Sequence, residues 1–325
     1  MITRIALAAL LHATAIAAVC TKLEDCKQFE KLKTSDCQPY HHFLARGSTS
    51  PYPGHLIETV GKVCDKLNNA THPNACGYED VEYWAMSGGD RWCKSAHEGA
   101  LNSAAQMRNY TERCPDSHLI IFGFSQGGSV QLDVIGGGGG ELWGCQQEAN
   151  PAMDINTAPG SNVAAVVTFG ATRRSANQPF TFGGGQVSNG AAPRTAEQNA
   201  GLMPWANADK LREYCQPRDI ICAPQTEDKD MKYHLDYFDK WGDEVAEWVV
   251  GKSRVAAGIP ANGMIPEPDK TSAASAILKK GVSHPVFNLF MLIIVLFGLY
   301  FAIKRIAVWK FSSPRYAPVS TTEVV

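Results

Sequence analysis

The chain has 325 residues, 45% hydrophobic and 19% charged, enough apolar material to bury the core of one domain of roughly 200–250 residues with segments to spare. Its formal net charge is -2. Neither that charge nor any basic stripe makes an electrostatic case for nucleic acid, and no nucleic-acid motif is present.

In chain order, Arg4, an apolar run and Ala15-Ile16-Ala17 form a cleaved secretory signal over residues 1–18. Export makes the ten cysteines candidates for disulfides. It also gives meaning to two glycosylation acceptor patterns, at Asn69 and at Asn109. Short apolar stretches at Tyr40 to Arg46, Val81 to Ala85, His118 to Phe122 and Val163 to Phe169 read as strands. They alternate with helical stretches at Pro53 to Leu67 and Ser95 to Arg113, an order that predicts a parallel sheet with helices on both faces. The glycine run Gly136 to Gly140 and the Gly/Pro/Ala-rich span Pro179 to Pro204 read as surface loops. Asp236 to Val250 places Phe238, Trp241, Val245, Trp248 and Val249 on one face of a closing amphipathic helix.

Past the presumed domain, 19–250, the composition shifts to Pro, Gly, Ala, Ser and Lys through residue 285, which reads as a stalk. Val286 to Ile303 is apolar, long enough to cross a bilayer, and followed at once by Lys304-Arg305, a stop-transfer pattern. Residues 304–325 would then form a cytoplasmic tail. These segments predict a single-pass protein of the plasma membrane or an endomembrane, its domain extracellular or lumenal.

The chemistry centres on Gly123-Phe-Ser-Gln-Gly127, which follows an apolar strand. A serine on a sharp strand-to-helix turn needs small neighbours, and glycines at both flanks remove the side chains that would collide. Ser125 would then stand exposed at the strand end. The N–H of Gln126, at a helix start without an internal partner, would face an oxyanion. A serine needs a base, and the base needs a carboxylate to orient it. His234 and His284 are the histidines after Ser125, and His284 sits beside Pro285 at the membrane edge, so His234 is the candidate base. For the acid, Asp219 stands between Cys215 and Cys222, with Asp209, Asp228 and Asp230 as alternatives.

Three separated stretches, "CPDSHLIIFGFSQGG", "YCQPRDIIC" and "YHLDYF", resemble the nucleophile, acid and base segments of the fungal cutinases and acetylxylan esterases, over Cys37 to about Val250. The resemblance implies an α/β fold: an α/β-hydrolase-like three-layer sandwich around a central parallel sheet, to which the sequence adds a C-terminal transmembrane helix. It implies Ser125 as nucleophile, Asp219 as orienting acid and His234 as base. "ARGSTS" is similar to the family's oxyanion segment and nominates Ser48 beside Gln126. Disulfides Cys37–Cys114 and Cys215–Cys222 are implied likewise, with six cysteines left unassigned. The chain departs from the acetylxylan esterases at Gly170-Ala171-Thr172, where those enzymes carry a Gly-Asp pair.

The expectation is thus a membrane-anchored serine esterase without metal or cofactor, acting on acetylated polysaccharide or on cutin-like or short-acyl esters. The alternative is an inactive surface binding or adhesion module on a hydrolase scaffold, against which the presence of all three catalytic residue types argues.

Overall fold

The structure is a computed structural model and describes residues 25–259 apart from 35, 70 and 71. Its frame is a sheet of six strands, β1 (Tyr40–Ala45), β2 (Cys76–Asp80), β3 (His118–Phe124), β6 (Val163–Phe169), β7 (Thr181–Phe182) and β8 (Leu211–Tyr214). They lie in the order β2-β1-β3-β6-β8-β7, every pair parallel. β1 and β6 are buried throughout and β3 all but at its first residue, as strands covered on both faces must be. Alternate side chains serve different cores. Tyr40, Leu44, Ile120, Phe122, Val167 and Phe169 pack with α1 (Leu56–Leu67) and α6 (Tyr237–Ala256). Phe43, Leu119, Ile121 and Val166 pack instead with α2 (Gly89–Arg113), α3 (Gln126–Gly136) and α4 (Ala196–Asn207).

One predicted strand is displaced. β2 forms at Cys76–Asp80, and Val81 to Ala85 is not a strand despite its alternating pattern. Side chains take its backbone groups in place of a ladder: Gln106 accepts from Glu82 N, Asn102 donates to Glu82 O, and the Tyr52 hydroxyl accepts from Tyr83 N. Competitors brought from 20 to 31 residues away are invisible to a periodicity argument.

The two segments read as loops are also structured. The glycine run enters an antiparallel hairpin of β4 (Gly138–Leu142) and β5 (Cys145–Asn150). Gly139 and Gly140 have φ of +109° and +106°, and a Cβ on Gly139 would lie 2.7 Å from Ala149 Cα, so glycine is what lets this strand exist. The span Pro179 to Pro204 holds β7 and the first part of α4, which Thr195 and Gln198 open with a reciprocal capping box. α6 runs to Ala256, so the first six residues assigned to the stalk are helical. Among the described residues no helix is long and apolar enough to cross a membrane. The signal at 1–18, the segment 286–303 and the tail 304–325 lie outside the described residues.

Between pairs of described residues, disulfides join Cys37–Cys114, Cys64–Cys76, Cys93–Cys145 and Cys215–Cys222, and no described cysteine is free. Asn69 and Asn109 are both exposed, Asn109 on α2.

β1 carries two buried imidazoles, His41 and His42. His42 Nδ1 donates to Gly77 O at 2.8 Å, and burial pushes its pKa down from 6.5 to about 3. The unfolded ring binds a proton below about pH 6.5, whereas the folded ring resists it until about 3. Stability is therefore whole above about 6.5 and lost as pH falls from there. From pH 7 to pH 5 this one group should remove about 2 kcal/mol. Urea unfolding at the two pH values, in the protein and in a His42→Leu variant, checks this; an equal pH dependence in both would exonerate His42.

Candidate active site

At the carboxyl end of β3 the chain turns into α3 through Ser125, whose φ of 56° and ψ of -116° lie outside the regions that side-chain-bearing residues favour. Such a backbone costs on the order of 1–3 kcal/mol and persists only where its surroundings enforce it. Here they do. A Cβ on Gly123 would lie 2.4 Å from Gly127 O, and one on Gly127 would lie 1.9 Å from Ala45 O. Ser125 N–H donates to Phe169 O at 2.8 Å, pinning the turn to β6. The serine itself is half-buried.

Gln126 opens α3, where its N–H has no carbonyl within the helix to serve. Its side chain is wholly buried and donates to Met86 O at 3.0 Å and Trp92 O at 3.3 Å. The strand β1 brings Gly47 up to the serine, so close that a Cβ there would lie 2.9 Å from Phe124 and 3.4 Å from Ser125 Cβ. Ser48 follows, half-buried, its carbonyl accepting from Thr49 Oγ1 at 2.7 Å.

Asp219 and His234 meet in the loops past β8. The Cys215–Cys222 disulfide closes a ring about Asp219, which is completely buried. Oδ1 accepts from Ile221 N at 2.7 Å and Cys222 N at 3.1 Å; Oδ2 accepts from Tyr237 Oη at 2.7 Å and from His234 Nδ1 at 2.9 Å. With Nδ1 donating, His234 keeps Nε2 as an acceptor. The histidine lies in the single turn α5 (Lys232–Leu235), buried, its ring 4.9 Å from that of Phe124. Behind the pair, Gly170 has φ +56°, and a Cβ on it would lie 2.8 Å from His234 Cε1 and 3.1 Å from Asp219 Oδ2. The alternative acids sit elsewhere: Asp209 pairs with Lys252, Asp230 Oδ1 accepts from Lys232 N, and Asp228 is exposed in a loop. His284 lies outside the described residues.

Three neighbours escaped the sequence reading. Tyr237 bridges the acid and Gln216 N, which donates to its hydroxyl at 2.9 Å; burial first, then the charge of Asp219, raises its pKa well above the ordinary value. It stands three residues after His234, at the first position of α6. His55 stacks on Phe238 and meets the edge of Phe124, and burial, then the charge of a protonated His234, holds its pKa below the ordinary value. Arg174, wholly buried, donates to Glu213 Oε2 at 3.0 Å and to Cys222 O at 3.1 Å, fastening the acid loop to β8. Nothing local in the sequence marks it. As for metals, His42, Cys64 and Cys76 cluster, but both sulfurs are committed to their disulfide and offer no thiolate.

A serine on a strained strand-to-helix turn of a parallel sheet, with a buried His–Asp pair against the residue before it, defines an α/β-hydrolase type of architecture. The Cutinase family model matches residues 36–253, and the chain belongs to that family. An acetylxylan esterase of Hypocrea jecorina is 24% identical over 250 residues, covering 75% of this chain and 79% of that protein. Cutinase 11 of Verticillium dahliae is 26% identical over 197 residues, 59% of this chain and 62% of that protein. The solved catalytic core domain of acetyl xylan esterase from Trichoderma reesei shares the fold, with a TM-score of 0.53 at 23% identity, covering 67% of this chain and all of that one.

Tyr237→Phe takes one donor from the buried Asp219 carboxylate and the acceptor from Gln216 N–H. It should destabilise the protein by about 1.5–3 kcal/mol, the range for a hydrogen bond to a charged group. Chemical denaturation at one fixed pH reads this directly. A loss under about 0.5 kcal/mol would mean that water replaces the hydroxyl.

Proposed function

We propose that the protein is a serine carboxylic-ester hydrolase that works through an acyl-enzyme on Ser125. Its membership of the Cutinase family makes it an ester hydrolase of the cutinase and acetylxylan esterase type. The observation that carries the finer reading is the His234 Nδ1 to Asp219 Oδ2 bond of 2.9 Å, formed in a buried site beside the strained serine turn. A histidine held by a buried carboxylate is fixed in the tautomer whose Nε2 can accept a proton. In this mechanism Ser125 Oγ attacks the ester carbonyl as His234 Nε2 takes its proton. The Gln126 N–H, with Ser48, receives the negative oxygen. His234 returns the proton to the departing alcohol, leaving the acyl group on Ser125, and water repeats the sequence to free the acid. These steps use side chains, the Gln126 backbone N–H and water, and call for no metal or cofactor. The substrates proposed are acetylated polysaccharide and cutin-like or short-acyl esters.

Ser125→Ala and His234→Ala should each lower kcat on a p-nitrophenyl acyl ester by several orders of magnitude, because nucleophile and base act as one unit. The thermal transition should stay nearly unchanged in Ser125→Ala and fall in His234→Ala, which takes a donor from the buried Asp219 carboxylate. Near-normal turnover in either variant removes the mechanism.

We further propose that the enzyme enters the secretory pathway and stays on a membrane, its domain on the outer or lumenal side. The support is sequence pattern: the leader at 1–18, the apolar stretch Val286 to Ile303 and the cations Lys304 and Arg305 directly behind it. Full-length protein should remain in the pellet after alkaline carbonate washing, and truncation before Gly281 should release active esterase into the medium. Recovery of full-length protein, Val325 included, from the medium would refute the anchor.

A further inference from the structure

Beside the catalytic residues lies a cavity of about 390 Å³ lined by Trp84, Met86, Arg91, Lys94, Ser95 and Glu98. That volume falls in the range of small-molecule pockets, roughly 300–1,000 Å³. None of Ser48, Ser125, Asp219 and His234 lines it, nor does any residue of the loops that carry the acid and base. One wall is a single face of α2: Arg91, Lys94, Ser95 and Glu98 follow the spacing i, i+3, i+4 and i+7. The other is the strap that bears Trp84 and Met86, which both line the cavity while Ala85 between them, at φ +52°, is buried. The strap's carbonyls are taken up elsewhere. Trp84 O accepts from Arg46, Ala85 O from Thr49 N at 2.7 Å and Met86 O from Gln126 Nε2 at 3.0 Å.

The wall is therefore indole, thioether and the methylene stems of two long cations, with Ser95 Oγ already accepting Met86 N–H at 3.0 Å. Trp84 is 72% exposed, and with Met86 it forms the apolar side of the cavity. Arg91 and Lys94 are exposed, and neither has an ion-pair or hydrogen-bond partner among the described residues. Glu98 stands one turn beyond Lys94, so an anion is favoured at the Arg91 end of the mouth and opposed at the other.

We propose that this cavity binds an amphipathic anion, its hydrocarbon chain against Trp84 and Met86 and its carboxylate between Arg91 and Lys94. The ligand class is a medium-chain fatty-acid carboxylate. An apolar wall alone would take any hydrocarbon, but two unpaired cations at one end select the head group. The site does not depend on the hydrolytic mechanism, because none of the proposed catalytic residues contributes to it.

The test uses the full-length protein in phosphatidylcholine vesicles and two photoactivatable probes with the same ten-carbon chain and a terminal diazirine. One ends in a carboxylate, the other in a trimethylammonium group. Peptide mapping after irradiation should place the carboxylate probe on Trp84 to Met86 or on the α2 face, with at least tenfold less labelling there by the ammonium probe. The double variant Arg91→Glu/Lys94→Glu should reverse that preference while leaving hydrolysis of a p-nitrophenyl acetate substrate unchanged. Trp84→Ala should weaken labelling by both probes. Ser125→Ala should label like the parent, so that loss of hydrolysis and loss of binding are read separately. Equal labelling by the two head groups, labelling elsewhere on the domain only, or no effect of the charge reversal would each overturn the proposal.

Discussion

The carboxylate of Asp219 is the constraint around which the site is assembled. A carboxylate with no exposed surface costs several kcal/mol unless donors surround it, and it finds four, from Ile221, Cys222, Tyr237 and His234. Two come from the backbone of its own disulfide ring, one from α5 and one from the first residue of α6. The charge thus recruits three segments that the sheet alone would leave independent. The ring is in turn held by Arg174, whose guanidinium reaches Cys222 O and the Glu213 carboxylate of β8. Acid, base and scaffold are one hydrogen-bonded body.

The second constraint is steric, and it converges on the same place. Gly47, Gly123, Gly127 and Gly170 each stand where a Cβ would come within 3 Å of another atom. At Gly123 and Gly127 the obstruction is backbone, which cannot yield, so the turn that presents Ser125 tolerates no side chain there. At Gly170 it is the His234 ring, and the positive φ adds to the exclusion. Immediately after that glycine, Ala171 packs against Gly128 of α3, where an added Cβ would lie 3.1 Å from the alanine Cβ. Close packing of β6 on the helix following the serine leaves that position a small residue.

How much of this was legible follows from the kind of force involved. β3, Ser125 and the start of α3 were plain because a buried strand, a strained turn and a helix start each leave a local mark: four apolar residues, two glycines and a polar residue between them. β1 and β6 were read to within a residue for the same reason, since burial on both faces leaves a run of mainly apolar residues, interrupted by His41 and His42 in β1 and Thr168 in β6. β2 was misplaced because its neighbour Val81 to Ala85 has the better alternation, and what decides between them is Gln106, Asn102 and Tyr52, from elements distant in sequence. Asp219 was not separable by spacing from Asp209, Asp228 and Asp230; its distinction is burial among donors, a property of the assembled loops. Arg174 illustrates the limit, because a buried ion pair with Glu213 across 39 residues has no signature in either segment.

The strap at Trp84 to Met86 shows why the displaced strand matters beyond bookkeeping. Had Val81 to Ala85 joined the sheet, its carbonyls would face a neighbouring strand. Free of it, the carbonyls of Trp84 and Ala85 turn to Arg46 and Thr49, on either side of Ser48, and that of Met86, the next residue, turns to the Gln126 side chain. The buried Gln126 side chain is anchored there and at Trp92 O, so the start of α3 is tied to the chain that directly follows the displaced strand. The same release leaves the Trp84 and Met86 side chains on the outer wall of a cavity instead of inside a core. One local competition for backbone hydrogen bonds therefore shapes both the inner and the outer face of the loop beside Ser125.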